Sequence, residues 1–233
     1  PEILAPPDIR RTPDLPSRRF DRRLRHCINP LCPVQFVEFM PTSSDAVVKF
    51  ISSIAAADAE QWDACANPDP TTFNPFVSHA FLKALEVSNS VGRGSGWLPR
   101  HLILEDDTGA IAAAAPAYLK SHSQGEYVFD HAWAEAYEQA GGHYYPKLQI
   151  AVPFTPVPGP RLLVKPGPRA NADEQLLAAA SMELARQGGL SSVHLTFLSA
   201  DAAERVRGIG FLTRTGQQFH WQNRDYTSFD DFL

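Results

Sequence analysis

Three stretches of this sequence gather residue types that move protons or hold an amine. The first is His143-Tyr144-Tyr145-Pro146-Lys147-Leu148, followed by Val152-Pro153-Phe154-Thr155-Pro156. It sets aromatics, a cation and hydroxyls on backbone stiffened by proline, which presents polar groups at low entropic cost. Tyr144, Lys147, Phe154 and Thr155 are its candidate substrate contacts, and His143 is its candidate acid–base group. A structural crossover whose aromatics fill the core explains the same composition equally well. The second stretch is Glu126-Tyr127-Val128-Phe129-Asp130-His131-Ala132-Trp133. A carboxylate tunes a nearby imidazole, so Asp130 and His131 are candidate acid–base groups. Neighbours on one strand face opposite ways, however, and Asp130 also suits the N-cap of a helix around Trp133. The third is Gln218-Phe219-His220-Trp221. On a strand, Gln218 and His220 share one face and can line a pocket, while Phe219 and Trp221 share the other and read as core.

A fourth pattern, Arg205-x-x-Gly208-x-Gly210, has the letters of a pyrophosphate loop, in which backbone N–H groups receive phosphate oxygens. Its context is reversed. The glycines follow a helical segment and precede the strand-like Phe211-Leu212-Thr213, whereas phosphate loops run from strand to helix. A helix end followed by a strand entry is the better reading. Nothing resembles a Gly-x-Ser-x-Gly elbow, a Walker loop or a His-Glu-x-x-His helix. Cys27, Cys32 and Cys65 lack the spacing of a disulfide framework or a zinc site. They read as free thiols in a reducing compartment, and no metal is expected.

These residues must be positioned by regular elements. Val47–Ile51 predicts a strand and Ala56–Ala66 a helix anchored by Trp62. Ser78 predicts an N-cap for a helix carrying Phe81, Leu82, Leu85 and Val87. His101–Glu105, the turn Asp106-Asp107-Thr108-Gly109 and Ile111–Leu119 predict a hairpin. Tyr127–Phe129 predicts a short strand and Trp133–Ala140 a short helix closed by Gly141-Gly142. Residues 146–168 hold seven prolines, which interrupt ladder pairing but leave Leu148–Val152 and Arg161–Val164 strand-like. Asp173–Gln187 predicts the strongest helix, with Leu176, Leu177, Ala180 and Leu184 on one face. Val193–Phe197 predicts a buried strand, Asp201–Arg207 a helix, and Phe211–Thr215 with Gln217–Trp221 a closing pair of strands. Intermixed helices and strands give a mixed α/β (α+β) sheet protein with helices on its faces.

The chain has 233 residues, enough for one large domain or two small ones with a real core, and an ordinary hydrophobic share of 44%. Its net charge of −5 argues against DNA binding, which needs a basic surplus. No apolar run is long enough to span a membrane. Residues 1–40 stand apart, with seven Arg, seven Pro and no Lys. The stretch 1–44 reads as a disordered leader ahead of a domain at 45–233. It is either a plain tail or the remains of a plastid or mitochondrial transit peptide, and its early acidic residues count against the second.

Taken together, several of these words are familiar. Phe76-Val77-Ser78-His79-Ala80-Phe81-Leu82, Gly96-Trp97-Leu98-Pro99-Arg100-His101-Leu102, Gly125-Glu126-Tyr127-Val128-Phe129-Asp130, Tyr145-Pro146-Lys147-Leu148 with Pro153-Phe154-Thr155-Pro156, and Gln218-Phe219-His220-Trp221-Gln222-Asn223 closely resemble the FemAB-like family, from about residue 45 to 233. That family is associated with peptidoglycan biosynthesis or recognition, within the GNAT acyl-CoA N-acyltransferase superfamily. The resemblance implies the first of two tandem GNAT-like halves, with a second half to follow Leu233. It implies a cytoplasmic N-acyltransferase that moves an acetyl or aminoacyl group from acyl-CoA or aminoacyl-tRNA to an amine on a small molecule or peptide. tRNA would enter only as acyl donor. The alternative it allows is a non-catalytic module of the same fold that recognises a glycan, peptide or protein. For the enzyme, the candidate catalytic groups are Asp130, His131, His143 and His220, and the candidate substrate contacts Tyr144, Lys147, Phe154, Thr155 and Gln218.

Overall fold

A computed structural model describes residues 34–37 and 47–233. Strand β1 (Val34–Val37) falls within the stretch read as a leader, and the rest of that stretch lies outside the described residues. Strand β2 (Val47–Ile51) follows as expected. Helix α1 (Ala59–Ala66) begins three residues later than its composition suggests. Ser53 caps a single 3-10 turn at Ile54–Ala56, and only then does the Asp58 carboxylate accept from the Gln61 N–H at 2.9 Å and start the α-helix. Trp62 is fully buried, and its indole donates to the Val77 carbonyl at 2.9 Å. Ser78 caps helix α2 (His79–Val87) by accepting from the Phe81 N–H, as its position predicts.

The hairpin is longer than expected and changes sheets along its length. Strands β3 (Trp97–Pro99) and β4 (His101–Glu105) form one arm, and β5 (Ile111–Ala115) and β6 (Ala117–Lys120) the other. The register is unchanged across the break, with Pro99 opposite Tyr118 and Leu102 opposite Ala115. What interrupts the expected second strand is Pro116, which has no N–H to donate to a ladder. Helix α3 (His131–Gln139) follows a loop at 121–130. Strands β7 (Lys147–Ile150) and β8 (Leu163–Val164) flank the proline-rich crossover. Helix α4 (Ala170–Gln187), β9 (Val193–Leu195), helix α5 (Ala200–Arg207) and the short α6 (Phe229–Phe232) complete the order.

One sheet has the order β1-β2-β4-β5-β8 and is antiparallel throughout. The other runs β3-β6-β7-β9, antiparallel except for the parallel pair β7–β9. Strand alternation, shifted by one residue at a bulge where Leu104 pairs with Ala113 and Glu105 with Ile111, sorts the core into two clusters. Leu102, Leu104, Ala113 and Ala115 turn to one side with Leu177, Ala180 and Leu184 of α4. Ile103, Ile111 and Ala114 turn to the other with Trp62, Val77 and Leu82. The run of alanines in β5 leaves room for helices on both of its faces. The mixed α/β architecture expected from the sequence is therefore the one observed. Among the described residues, no helix is long and apolar enough to cross a membrane.

Three expected elements are absent. Tyr127–Phe129 is loop, and Tyr127 and Phe129 both hold left-handed backbone at φ 58° and 49°, which a strand excludes. Phe211–Thr215 and Gln217–Trp221 form no strands, since neither meets a partner edge. Phe219 and Trp221, expected in the core, are 90% and 64% exposed.

Candidate active site

The two faces of the second sheet differ in chemistry. On one, Leu148 and Ile150 join the apolar core. On the other, cross-strand register aligns Trp97 of β3 with Lys120 of β6, and Lys120 with Lys147 of β7. Two residues along the same face, Tyr118 lies opposite Gln149, and Gln149 opposite His194 of β9. Lys120, Lys147, Tyr118 and Gln149 are all fully buried. Two buried cations directly opposite one another repel, so they require compensation.

The compensation comes from the 121–130 loop. The Lys147 ammonium donates to Ser123 Oγ at 3.0 Å, Glu126 Oε2 at 2.8 Å and Asp130 Oδ2 at 2.7 Å, which uses all three of its N–H groups. The Tyr144 hydroxyl donates to the same Asp130 oxygen at 2.7 Å. Ser123 and Tyr145 share a hydrogen bond of 2.7 Å. Lys120 is held differently. Its ammonium lies 3.6 Å from the centre of the Trp97 ring, donates to the Gln124 carbonyl at 3.1 Å, and stands 3.9 Å from Glu126 Oε1.

These surroundings shift the titrations in opposite directions. Burial drives the Lys120 amine down to about 7, against the pull of Glu126. Burial raises the Glu126 carboxyl above its usual range, with Lys147 opposing. Burial also acts on Asp130, but the hydrogen bonds from Lys147, Ser123 and Tyr144 outweigh it and hold that carboxyl well below the usual range. Burial and the bond to Asp130 push the Tyr144 phenol upward. His194, half-buried and near Lys147, is pushed down to about 4, chiefly by desolvation, so it is a neutral imidazole near pH 7.

Of the residues proposed from sequence, Asp130, Tyr144 and Lys147 come together. Asp130 sits at the N-cap position of α3, but its side chain makes no capping bond and turns inward to Lys147, contrary to the capping role. Phe154 leans on Trp97 with ring centres 5.6 Å apart, at the edge of the cluster. Thr155 donates to the Pro153 carbonyl, and Gln218 donates to the Pro156 carbonyl. His131, His143 and His220 are exposed and join none of these contacts. Sequence reasoning passed over Lys120, Ser123, Glu126, Tyr145, Gln149 and His194. The available signal was alternation: Tyr118 and Lys120, then Lys147 and Gln149, are polar at every second position of strands otherwise apolar. The Arg205-x-x-Gly208-x-Gly210 pattern is a helix end, as its context predicts. Arg205 is engaged by Glu174 at 2.7 and 3.1 Å, and a depression of about 480 Å³ lies beside it between α4 and α5.

The 121–130 loop is built around Gly125. Its φ is +79°, and a Cβ there would sit 2.6 Å from the Phe154 ring and 3.2 Å from Trp97 Nε1. Gly125→Ala is expected to cost about 1–3 kcal/mol from backbone strain and the displaced ring. Thermal unfolding checks this, and an unchanged midpoint would show that Phe154 re-seats freely.

The model of the FemAB-like family, described as peptidoglycan biosynthesis/recognition, matches residues 53–233. No curated protein matches the sequence closely enough to count as a relative. Among solved structures, an acetyltransferase of Trypanosoma brucei is 16% identical at a TM-score of 0.43, covering 76% of this chain and 100% of its own. Glucosamine-6-phosphate N-acetyltransferase of Arabidopsis thaliana is 12% identical at 0.43, covering 76% and 99%. An aminoglycoside 6'-N-acetyltransferase of Acinetobacter baumannii is 14% identical at 0.43, covering 76% and 98%. All three are acetyltransferases, and at these scores the likeness carries no argument.

Proposed function

Because the chain belongs to the FemAB-like family, we propose that it serves N-acyl transfer, with the polar face of the β3-β6-β7-β9 sheet as its acceptor side. The donor is an acyl-CoA or an aminoacyl-tRNA. The acceptor is an amine on a small molecule or peptide, and a peptidoglycan precursor fits the family's description. The observation that carries this reading is the cross-strand pair Lys120–Lys147, buried with Glu126 and Asp130 under one loop. A structural ion pair is cheaply replaced by apolar residues, so two lysines and two carboxylates in one interior are a costly arrangement to keep without a chemical use.

The chemistry follows from these groups. An amine attacks an acyl carbonyl only when neutral. Lys120, whose amine titrates near 7, takes the proton of the arriving ammonium. The C–N bond then forms, the C–S or C–O bond of the donor breaks, the attacking nitrogen sheds its second proton to solvent as the amide forms, and the leaving thiolate or alkoxide takes a proton from solvent. Lys147, fixed by three bonds, positions Glu126 and Asp130.

The test is mass spectrometry of the protein incubated with acetyl-CoA or aminoacyl-tRNA and a panel of amines and amino-terminated peptides. Acceptor-dependent product is expected with one donor. No product with either donor across the panel sinks the enzyme reading. A binding module for a glycan, peptide or protein is the second reading. It is favoured by the exposed rings of Tyr127, Phe129 and Trp133, which are 50%, 76% and 64% accessible.

A further inference from the structure

The Gln218-Phe219-His220-Trp221 stretch takes no part in the buried cluster. It lies in a segment, residues 212–225, that enters no helix or strand and is exposed at every position. Just before the segment, Ile209 and Phe211 pack against the core cluster beneath α4. At its far end the Trp221 ring gathers with Tyr226 and Phe232, at 6.3 Å from each. Between these points two side chains tie it to the domain. The Arg214 guanidinium lies over the Trp133 ring of α3, 5.7 Å from its centre. Gln218 Nε2 donates to the Pro156 carbonyl of the proline-rich crossover at 3.0 Å. His220 supports that bond. Its Nε2 meets Gln218 Oε1 at 3.2 Å, an oxygen that only accepts, so the ring donates and keeps the amide nitrogen turned to Pro156.

The two ties stand toward opposite edges of the polar sheet face. Arg214 is close enough to His194 of β9 to bear on its titration. Pro156 is two residues from Phe154, which rests on Trp97 of β3. β3 and β9 are the outer strands of this sheet, three strand spacings or about 14 Å apart. The four steps of chain from residue 214 to 218 reach at most about 14 Å, just enough to cross. We infer that residues 212–225 form a strap that gates the polar face of the β3-β6-β7-β9 sheet, latched by Arg214 on Trp133 and by Gln218 on the Pro156 carbonyl. Little else holds the strap in place. Side chains alternate along extended chain, so with Gln218 turned inward Phe219 turns to water, and Leu212 and Phe219 are 91% and 90% exposed. Among the described residues its backbone pairs with no strand. A segment with so little burial and no ladder opens at low cost, as a gate must. The strap governs what reaches the face and goes beyond acyl transfer, since it would gate a binding face equally.

The Lys120 amine reports the gate. It is fully buried on this face and mostly neutral at pH 8, so a reagent modifies it only as fast as the face is reached. The full chain is treated with N-hydroxysuccinimidyl acetate at pH 8, and acetylation is followed by peptide mass spectrometry, with exposed Lys83 as internal control. Arg214→Ala combined with Gln218→Ala is expected to speed Lys120 acetylation at least fivefold and to leave Lys83 unchanged. Alkylation of Cys65 by iodoacetamide, followed in parallel, should stay as slow as in the native chain, because that thiol is buried in the other core cluster. Equal Lys120 rates in the native and double-variant chains would show that the strap does not limit entry and would overturn the inference. A rise at Lys120 that Cys65 shares would report general loosening of the fold and overturn it as well.

Discussion

Lys147→Met is expected to destabilise the chain by about 3–5 kcal/mol, because it strips the shared cation from two buried carboxylates. For a domain of this size that lowers the unfolding midpoint by on the order of 10 °C. The loss does not come from the ion pair as such. Lys147 has no water to fall back on, and neither do Glu126 and Asp130, which are 3% and 1% exposed. Removing the lysine leaves both carboxylates in an interior that cannot solvate them. The expectation therefore reverses when the charges leave together. Lys147→Met combined with Glu126→Gln and Asp130→Asn should recover most of the stability. Acid gives a second reading of the same contact. Asp130 is held below its unfolded value, so its contribution is present above about pH 4 and fades as the pH falls from there. The Lys147→Met chain should lose the largest part of that acid-sensitive component, keeping what the Tyr144 and Ser123 hydroxyls supply. Circular dichroism melts at pH 7 and at stepped acid pH check both statements. An unchanged midpoint for the single variant would mean that the cluster opens to water and is not a sealed interior.

How much of this was visible in the letters depends on which contacts were local. Ser78 announces a helix start because a cap satisfies N–H groups two or three residues away. The α4 face of Leu177, Ala180 and Leu184 is legible because a helix repeats its own period. The site is legible only in part. Tyr144, Lys147 and Asp130 could be singled out by type, but their meeting depends on β6 and β7 pairing in one register and on a loop folding back over them. Asp130 shows the limit. Its position fits an N-cap, yet a buried ammonium is a stronger partner for a carboxylate than an exposed backbone N–H, and the cap is forgone. Phe219 and Trp221 fail for the opposite reason. Alternation marks a residue as fit for burial, but it does not supply the edge that would bury it.

The largest effect on chemistry is expected from Lys120→Met, which separates stability from function. The lysine is fully buried on the Trp97 ring, and interior desolvation is what brings its amine down to about 7. An amine in that state costs the fold free energy near neutral pH, so a methionine of similar length should leave the midpoint unchanged or raise it. The pH dependence has a definite sign. From about pH 7 to about pH 10, the unfolded chain keeps a proton on this lysine that the folded chain has lost, so native stability rises with pH in that window. The Met variant loses that slope. Acyl transfer moves the other way. If Lys120 accepts the amine's proton, its removal lowers the rate by about 10²–10⁴-fold. The native rate climbs as pH rises through about 7, where the amine becomes free to act, and the variant's residual rate lacks that limb. A purely structural lysine shares the stability slope but predicts none of the kinetic changes: the variant would keep the native rate and the native pH profile of transfer, and that result would remove Lys120 from the mechanism while leaving the Lys147 cluster to be explained by packing alone.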